Sequence, residues 1–356
     1  MPKRSACIKV PKIQGEATII LANKLRIFNK ELEIRRDKSF LYIPLLHEPS
    51  QGMSKRFKKQ VPSIEVTTDF FQERAKKPRT LGELLDGKLP PHLLASLPHS
   101  ADFVGDIAII EIPPELEAYK TIIGNTILEA NRNLRTVLAK ASAVSGAYRL
   151  REFRVIAGEN KTATIHKEHG CLYYVDLAKA YFSPRLSHEH NRVASLVREG
   201  ETVVDLFAGV GPFAVQIAKT HENVRVFAID LNPHSVEFLR RNVRLNRVDC
   251  KVYPILGDAR EVVKKKLSGV ANRVIMNLPE TAIEFVDVAC QALKPTGGIL
   301  HFYTFAKAPD SLENVQSRFD KAVEKRGRKV QKVLLSRYIR ATAPYEWQAV
   351  LDAKIN

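Results

Sequence analysis

The chain is short of cysteine, of acidic residues and of long apolar runs. Its four cysteines, Cys7, Cys171, Cys250 and Cys290, lie far apart among 356 residues and form no CxxC pair. That spacing argues against a zinc ribbon or a disulfide scaffold and suits a reducing compartment. No apolar run approaches the roughly twenty residues that span a bilayer. The start, Met1-Pro-Lys-Arg, has no apolar core of the kind a secretion signal needs. A soluble, cytoplasmic protein without a membrane partner is expected. The sequence has no internal repeat and no long heptad, so a monomer is the default. Acid is scarce relative to base: 39 Asp and Glu face 56 Lys and Arg, for a formal net charge of +17. Such an excess favours an anionic partner, nucleic acid before a membrane surface. It is also uneven, because residues 1–60 hold fourteen Lys or Arg against five Asp or Glu and so supply +9 of it.

At this length, with 45% hydrophobic and 27% charged residues, two or three domains with sizeable cores are expected. Residues 1–62 read as a small α/β unit: a strand over 6–10, a helix over 14–25 and a hairpin over 31–45 turning at Arg36-Asp37. Residues 47–80 turn polar and basic, with runs at 54–59 and 74–79, and a basic linker is predicted over 63–80. A middle α+β domain follows over 81–180. It comprises a strand over 102–112, a helix over 115–133 opened by Pro113-Pro114, a strand over 135–144 and a hairpin over 162–177 turning at Glu168-His-Gly170.

From residue 181 to 356 the pattern becomes regular. Apolar runs at 202–207, 225–230, 252–256, 272–278 and 297–303 alternate with helical stretches at 188–198, 212–220, 234–246, 259–267 and 280–293. That alternation predicts a doubly wound parallel sheet that takes ligands at the carboxyl ends of its strands. Two last strands, 329–339 and 347–353, have no helix between them and imply an antiparallel pair at the sheet edge. Dinucleotide-binding dehydrogenase sheets seldom end so, whereas methyltransferase sheets usually do.

The strand ends carry the chemistry. In the run Asp205-Leu-Phe-Ala-Gly-Val-Gly-Pro-Phe213, Gly209 and Gly211 form a turn that passes straight into a helix, so a ligand can approach bare backbone. The turn fits a loose G-x-G-x-x-A pattern, which alone is also an ordinary strand-to-helix turn. Asp205 would repel a pyrophosphate and attract the ammonium of S-adenosylmethionine. Asp230 ends the next strand, where a ribose-binding carboxylate belongs. Asp258 could accept from an adenine amino group or simply cap the helix that follows. Asn277-Leu-Pro279 either aims a polar group into a pocket or makes a plain turn. Just before the domain's first helix, Arg185 and Glu189 stand four apart, a spacing that suits an electrophile and base pair, or a solvated cation and a dipole-complementing acid. His188 and His190 flank Glu189, but residues two apart on a helix do not share a face, so no metal is expected.

These motifs resemble the archaeal and eukaryotic tRNA (guanine-N1)-methyltransferases, which modify the guanosine at position 37, 3′ of the anticodon. The resemblance spans nearly the whole chain and is most specific over residues 157–160, 164–167, 181–186, 205–213, 228–233 and 274–279. It implies a class I methyltransferase domain with S-adenosylmethionine as cofactor and tRNA as partner. It further implies Glu189 as general base, Arg185 as the cation beside guanine O6, and Tyr181 and Arg149 as residues seating the target nucleotide. Asp205, Phe207, Gly209, Gly211, Asp230, Leu231, Asp258, Ala259, Asn277 and Pro279 would face the cofactor. His190 stands where relatives carry Arg at a cofactor-facing position. The small N-terminal unit resembles the family's tRNA-contacting domain, with Lys55, Arg56, Lys58 and Lys59 as candidate contacts. Rival readings are a wybutosine-pathway transferase with the same cofactor, a silent RNA-binding scaffold and, more distantly, a nicotinamide dehydrogenase.

Overall fold

A computed structural model describes residues 2–61, 63–74, 80–98 and 100–356. The chain divides into two compact units, Met1–Arg79 and Thr80–Asn356.

In the first unit, β1 (Lys3–Pro11) pairs antiparallel with β3 (Phe40–Pro44), which in turn pairs with the short β2 (Arg35–Arg36). The stretch predicted as a linker instead contains β4 (Glu65–Phe71), antiparallel to β1 and closing the sheet order β2-β3-β1-β4. The pattern is inverted: Val66 and Phe70 face solvent, Thr67 and Asp69 are half-buried, and only Phe71 reaches the core, so no apolar face marks the strand. The upstream basic run is a helix, Gln51–Gln60, capped by Ser50 and anchored by buried Phe57. Lys55, Arg56, Lys58 and Lys59 are all exposed on it. Residues 75–79 of the second basic run lie outside the described residues.

The second unit opens with a four-stranded sheet: β5 (Asp102–Val104), β6 (Ile107–Ile110), β7 (Thr136–Lys140) and β8 (Phe153–Gly158). The single strand expected over 102–112 is a hairpin, because Gly105 adopts φ +56° and turns the chain. Next comes the predicted hairpin of β9 (Ala163–Glu168) and β10 (Cys171–Asp176). The large sheet consists of β11 (Thr202–Asp205), β12 (Arg225–Asp230), β13 (Val252–Leu256), β14 (Arg273–Met276), β15 (Gly298–Lys307), β16 (Val330–Ala343) and β17 (Glu346–Ile355). Its order is β13-β12-β11-β14-β15-β17-β16, parallel through β15 and antiparallel for the last two. The doubly wound sheet with an edge pair is therefore observed, with the final strand inserted beside β15. A helix at Leu312–Glu324, whose amphipathic spacing went unread, connects β15 to β16.

The smaller sheet shares a core with the hairpin and with the turn and helix that flank the large sheet. Val104, Ile107 and Leu138 of the smaller sheet pack with Val175 of β10, Phe182, Val210 and Phe238. The hairpin is also tied by its backbone to the helix Pro233–Leu245. Asn242 accepts from Tyr174 N (2.6 Å) and donates to Tyr174 O (3.0 Å) and Val210 O (2.9 Å). One turn later Asn246 does the same for Leu172 (2.8 and 2.6 Å). Two carboxamides thus act as a strand would, satisfying buried backbone groups that have no ladder partner.

Candidate active site

At the carboxyl ends of β11 to β14 lies a crevice of about 380 Å³, within the usual range for small-ligand sites. Tyr181, His190, Phe207, Gly209, Asp230, Leu231, Asp258, Ala259, Asn277 and Pro279 line it, and so does Arg149. The doubly wound topology brings them together, since successive parallel strands release their loops on one side.

The glycine turn is built against Asp230. Asp230 Oδ2 accepts from Gly209 N (2.7 Å), and Oδ1 accepts from Asn232 N (2.9 Å). Burial pushes this carboxyl above its ordinary value, while the two backbone donors work against that shift. Gly211 takes φ +90°, and a Cβ there would meet Leu239 Cδ1 at 2.2 Å. Its place is set by packing on the neighbouring helix, and it does not line the crevice. Asp258 caps the next helix by accepting from Arg260 N (2.7 Å), and it also lines the crevice.

Asp205 departs from expectation. It is fully buried beneath Leu206 and Phe207, which line the crevice while it does not. Its Oδ1 accepts weakly from Phe207 N (3.3 Å), but Oδ2 has no partner among the described residues. Burial, helped by the nearby Asp230 charge, pushes its carboxyl up to about 7. Asn277 Oδ1 is likewise buried without a partner. Orphaned buried acceptors are costly, and two of them around one crevice fit a ligand that brings an ammonium and amide-like N–H donors. S-adenosylmethionine brings the ammonium; it has no amide N–H, so the second acceptor is left for a co-substrate.

The target-facing side differs from the sequence reading in two respects. Arg185 lies outside the crevice, in an adjoining groove, and its guanidinium is bound to Asp102 of β5. Arg149 lines the crevice. It sits 5.6 Å over the ring of Tyr181, which is 37% exposed, and its Nη1 lies 2.8 Å from Glu280 Oε2. Arg149 also adopts a left-handed backbone, φ +54°, a strain that tends to persist at functional positions.

The second difference concerns Glu189. It is 1% exposed and does not line the crevice, although Leu186 and His190 on either side of it do. Its carboxylate accepts from Arg192 (Nη2 to Oε2, 2.8 Å), from Tyr303 Oη (3.0 Å) and from Arg337. Burial keeps the Tyr303 phenol well above its ordinary value, so it stays a donor. Arg192 continues to Asp352. Asp352 Oδ1 accepts from His301 Nδ1 (2.7 Å), whose Nε2 accepts from Arg273 Nη1 (2.9 Å). A ring that accepts on one nitrogen and donates from the other is neutral, in line with burial lowering the His301 imidazole. None of this charged chain was legible in sequence, since its members are separated by up to 160 residues. His190 lines the crevice with Nδ1 bonded to buried Glu168 (2.6 Å). Arg340 and Gln348, bonded to each other at 3.0 Å, also line it and were not anticipated.

Comparison with known proteins adds independent findings. Residues 164–331 match the TRM5/TYW2 methyltransferase domain, residues 81–162 the TYW2 N-terminal domain and residues 7–53 the tRNA methyltransferase 5 N-terminal domain. The chain is 39% identical to tRNA (guanine(37)-N(1))-methyltransferase Trm5b of Pyrococcus abyssi, covering 98% of each chain. It is 35% identical to tRNA 4-demethylwyosine(37)-methyltransferase Taw21 of Saccharolobus solfataricus, over 72% of this chain and 93% of that one. Its fold is similar to that in the complex structure of aTrm5 and tRNALeu, with TM-score 0.71 and 34% identity over 98% of this chain and 99% of that one. It is also similar to M. jannaschii TYW2 in complex with AdoMet, with TM-score 0.57 and 30% identity over 72% and 99%.

Proposed function

The chain belongs to the family of archaeal and eukaryotic-type tRNA (guanine(37)-N1)-methyltransferases, and from that premise we propose that it methylates N1 of the guanosine 3′ of the anticodon in tRNA, using S-adenosylmethionine. The observation that carries this reading is the convergence of Tyr181, Arg149 and the orphaned Asn277 Oδ1 on the same crevice as the strand-end acids. When bound, the cofactor supplies an electrophilic sulfonium methyl. Asp230 and Asp258, which line the crevice, would hold its ribose and adenine donors, and Asp205, buried behind that lining, would favour its ammonium through its charge.

Guanine N1 carries a proton and is a poor nucleophile, so the protein must remove that proton and stabilise charge on O6. Arg149 lines the crevice, although it also pairs with Glu280, and is the cation for O6; Arg185 lies in the adjoining groove on Asp102. Tyr181 offers an exposed ring on which the extruded base stacks. Asn277 Oδ1 accepts from an N–H of the base. Glu189 takes the N1 proton once its carboxylate is partly freed, and its two crevice-lining neighbours on the same helix mark how near it lies. We further propose that it acts as a monomer in the cytoplasm.

A second reading, methylation of a wyosine precursor, draws on the similarity to Taw21. Coverage favours the first: the Trm5b relative matches 98% of this chain and the Taw21 relative only 72%. Incubation with a tRNA transcript bearing guanosine at position 37, followed by nucleoside mass spectrometry, should give a single added methyl. An adenosine at that position should give none. No product on guanosine, or a larger added group, would overturn the proposal.

A further inference from the structure

Glu189 is the one acid whose burial and partners conflict with the chemistry asked of it. A carboxylate accepting from two guanidinium groups and a phenol has few lone pairs left for a proton. The groups facing it are Arg192 on its own helix, Tyr303 on β15 and Arg337 on β16, with Asp352 on β17 and His301 on β15 standing behind Arg192. They are not equivalent. Arg192 is held by Asp352 as well, and although burial opposes its charge, those two carboxylates more than compensate. Tyr303 is fully buried. Arg337 alone has a half-exposed side chain, at 46%, and its bond to Glu189 is the only one it makes among the described residues.

The register of the last strands shows where Arg337 could go. Arg337 stands opposite Val350 and Arg340 opposite Gln348, with Ile339 unpaired between them. Val350 and Gln348 are two apart on β17, so the bulge puts Arg337 and Arg340 on one face despite their odd spacing. Arg340 lines the crevice. Arg337 therefore stands two paired positions along the same face from crevice-lining Arg340, with one end on a buried carboxylate and the other open to solvent. Guanidinium pairs bidentately with phosphate, and because Arg192 and Tyr303 stay on Glu189 when Arg337 leaves, the exchange does not strand a buried charge.

We infer that Arg337 is a latch: it occupies Glu189 Oε1 in the free enzyme and moves to a backbone phosphate of the bound RNA, freeing that oxygen for the N1 proton. Arg337 is thus a positioning residue that couples RNA binding to exposure of the base. The inference rests on Glu189 being the proton acceptor.

The test uses the Arg337→Gln and Arg337→Lys variants of the full chain and the pH dependence of methyl transfer to tRNA. The acid limb of kcat/KM reports the free enzyme and that of kcat the complex. With Arg337→Gln, the kcat/KM limb should move up by about one pH unit, as expected when a carboxylate loses a close cation. The kcat limb should stay, because in the complex the latch is already open. KM for tRNA should rise, and the log–log salt slope of tRNA binding should fall by about one. Arg337→Lys should restore the kcat/KM limb and the slope. Equal movement of both limbs, or of neither, overturns the latch. Loss of the acid limb in wild type, or wild-type turnover by Glu189→Gln, overturns instead the reading beneath it.

Discussion

Arg149 and Arg185 are both cations near the target side, yet their surroundings assign them different work. Arg185 closes an ion pair with Asp102 in a side groove, whereas Arg149 stands over Tyr181 in the crevice. Arg149→Ala should lower single-turnover methylation by about 10²–10³-fold, the loss seen when one preorganised charge donor is removed. Arg185→Ala should leave that rate within a few-fold. Equal losses would return Arg185 to the mechanism. For Glu189→Gln, a drop of at least about a hundredfold is expected, with cofactor affinity nearly intact by calorimetry. Asp205 supplies a pH prediction. Its folded-state value, raised to about 7, means the folded chain keeps a proton that the unfolded chain loses near 4. Its contribution to stability is therefore full below that point and declines as pH rises towards 7. A ligand ammonium reverses the balance by favouring the ionised form. Cofactor affinity should thus strengthen between pH 6 and 8 in wild type, and Asp205→Asn should flatten that dependence. A pH-independent wild-type affinity would detach Asp205 from the cofactor.

At the scale of elements, hydrophobic period carried far. Strands β11 to β15 and the helices between them follow from the alternation of short apolar runs with amphipathic stretches, because each must bury one face against the sheet. β4 was lost because no apolar face marks it within a basic context, and 102–112 was read as one strand because nothing local separates a strand from a tight hairpin except the turn at Gly105. The docking of the β9–β10 hairpin was invisible, as an asparagine at a helix surface looks like any solvated polar residue. Asn242→Ala would leave Tyr174 N–H, Tyr174 C=O and Val210 C=O without their partner, at about 1–3 kcal/mol for each group that water cannot reach. A lowered melting temperature, with amide exchange accelerated over 171–176, checks this. Unchanged protection there would show that the hairpin is held by its apolar face alone.

Across the whole molecule, charge is divided between two units that each have their own core. Lys55, Arg56, Lys58 and Lys59 project from a helix held by Phe57, so replacing all four with Gln should spare the fold. The quadruple variant should bind tRNA more weakly, with a salt slope shallower by up to about four, and should bind cofactor as wild type does. An unaltered slope would exclude that helix from the RNA interface. Composition, strand period and the strand-end motifs settled in advance the kind of sheet, the side of it that binds ligand and the sign of the partner's charge. They could do so because burial and backbone geometry are local demands, written every two or every 3.6 residues. Which arginine lines the crevice, that Asp205 lies outside that lining, and that Glu189 is clamped by Arg192, Tyr303 and Arg337 were decided only by tertiary structure. Those outcomes depend on which side chains from distant strands meet, and electrostatics in a low-dielectric interior depends on those meetings rather than on sequence spacing.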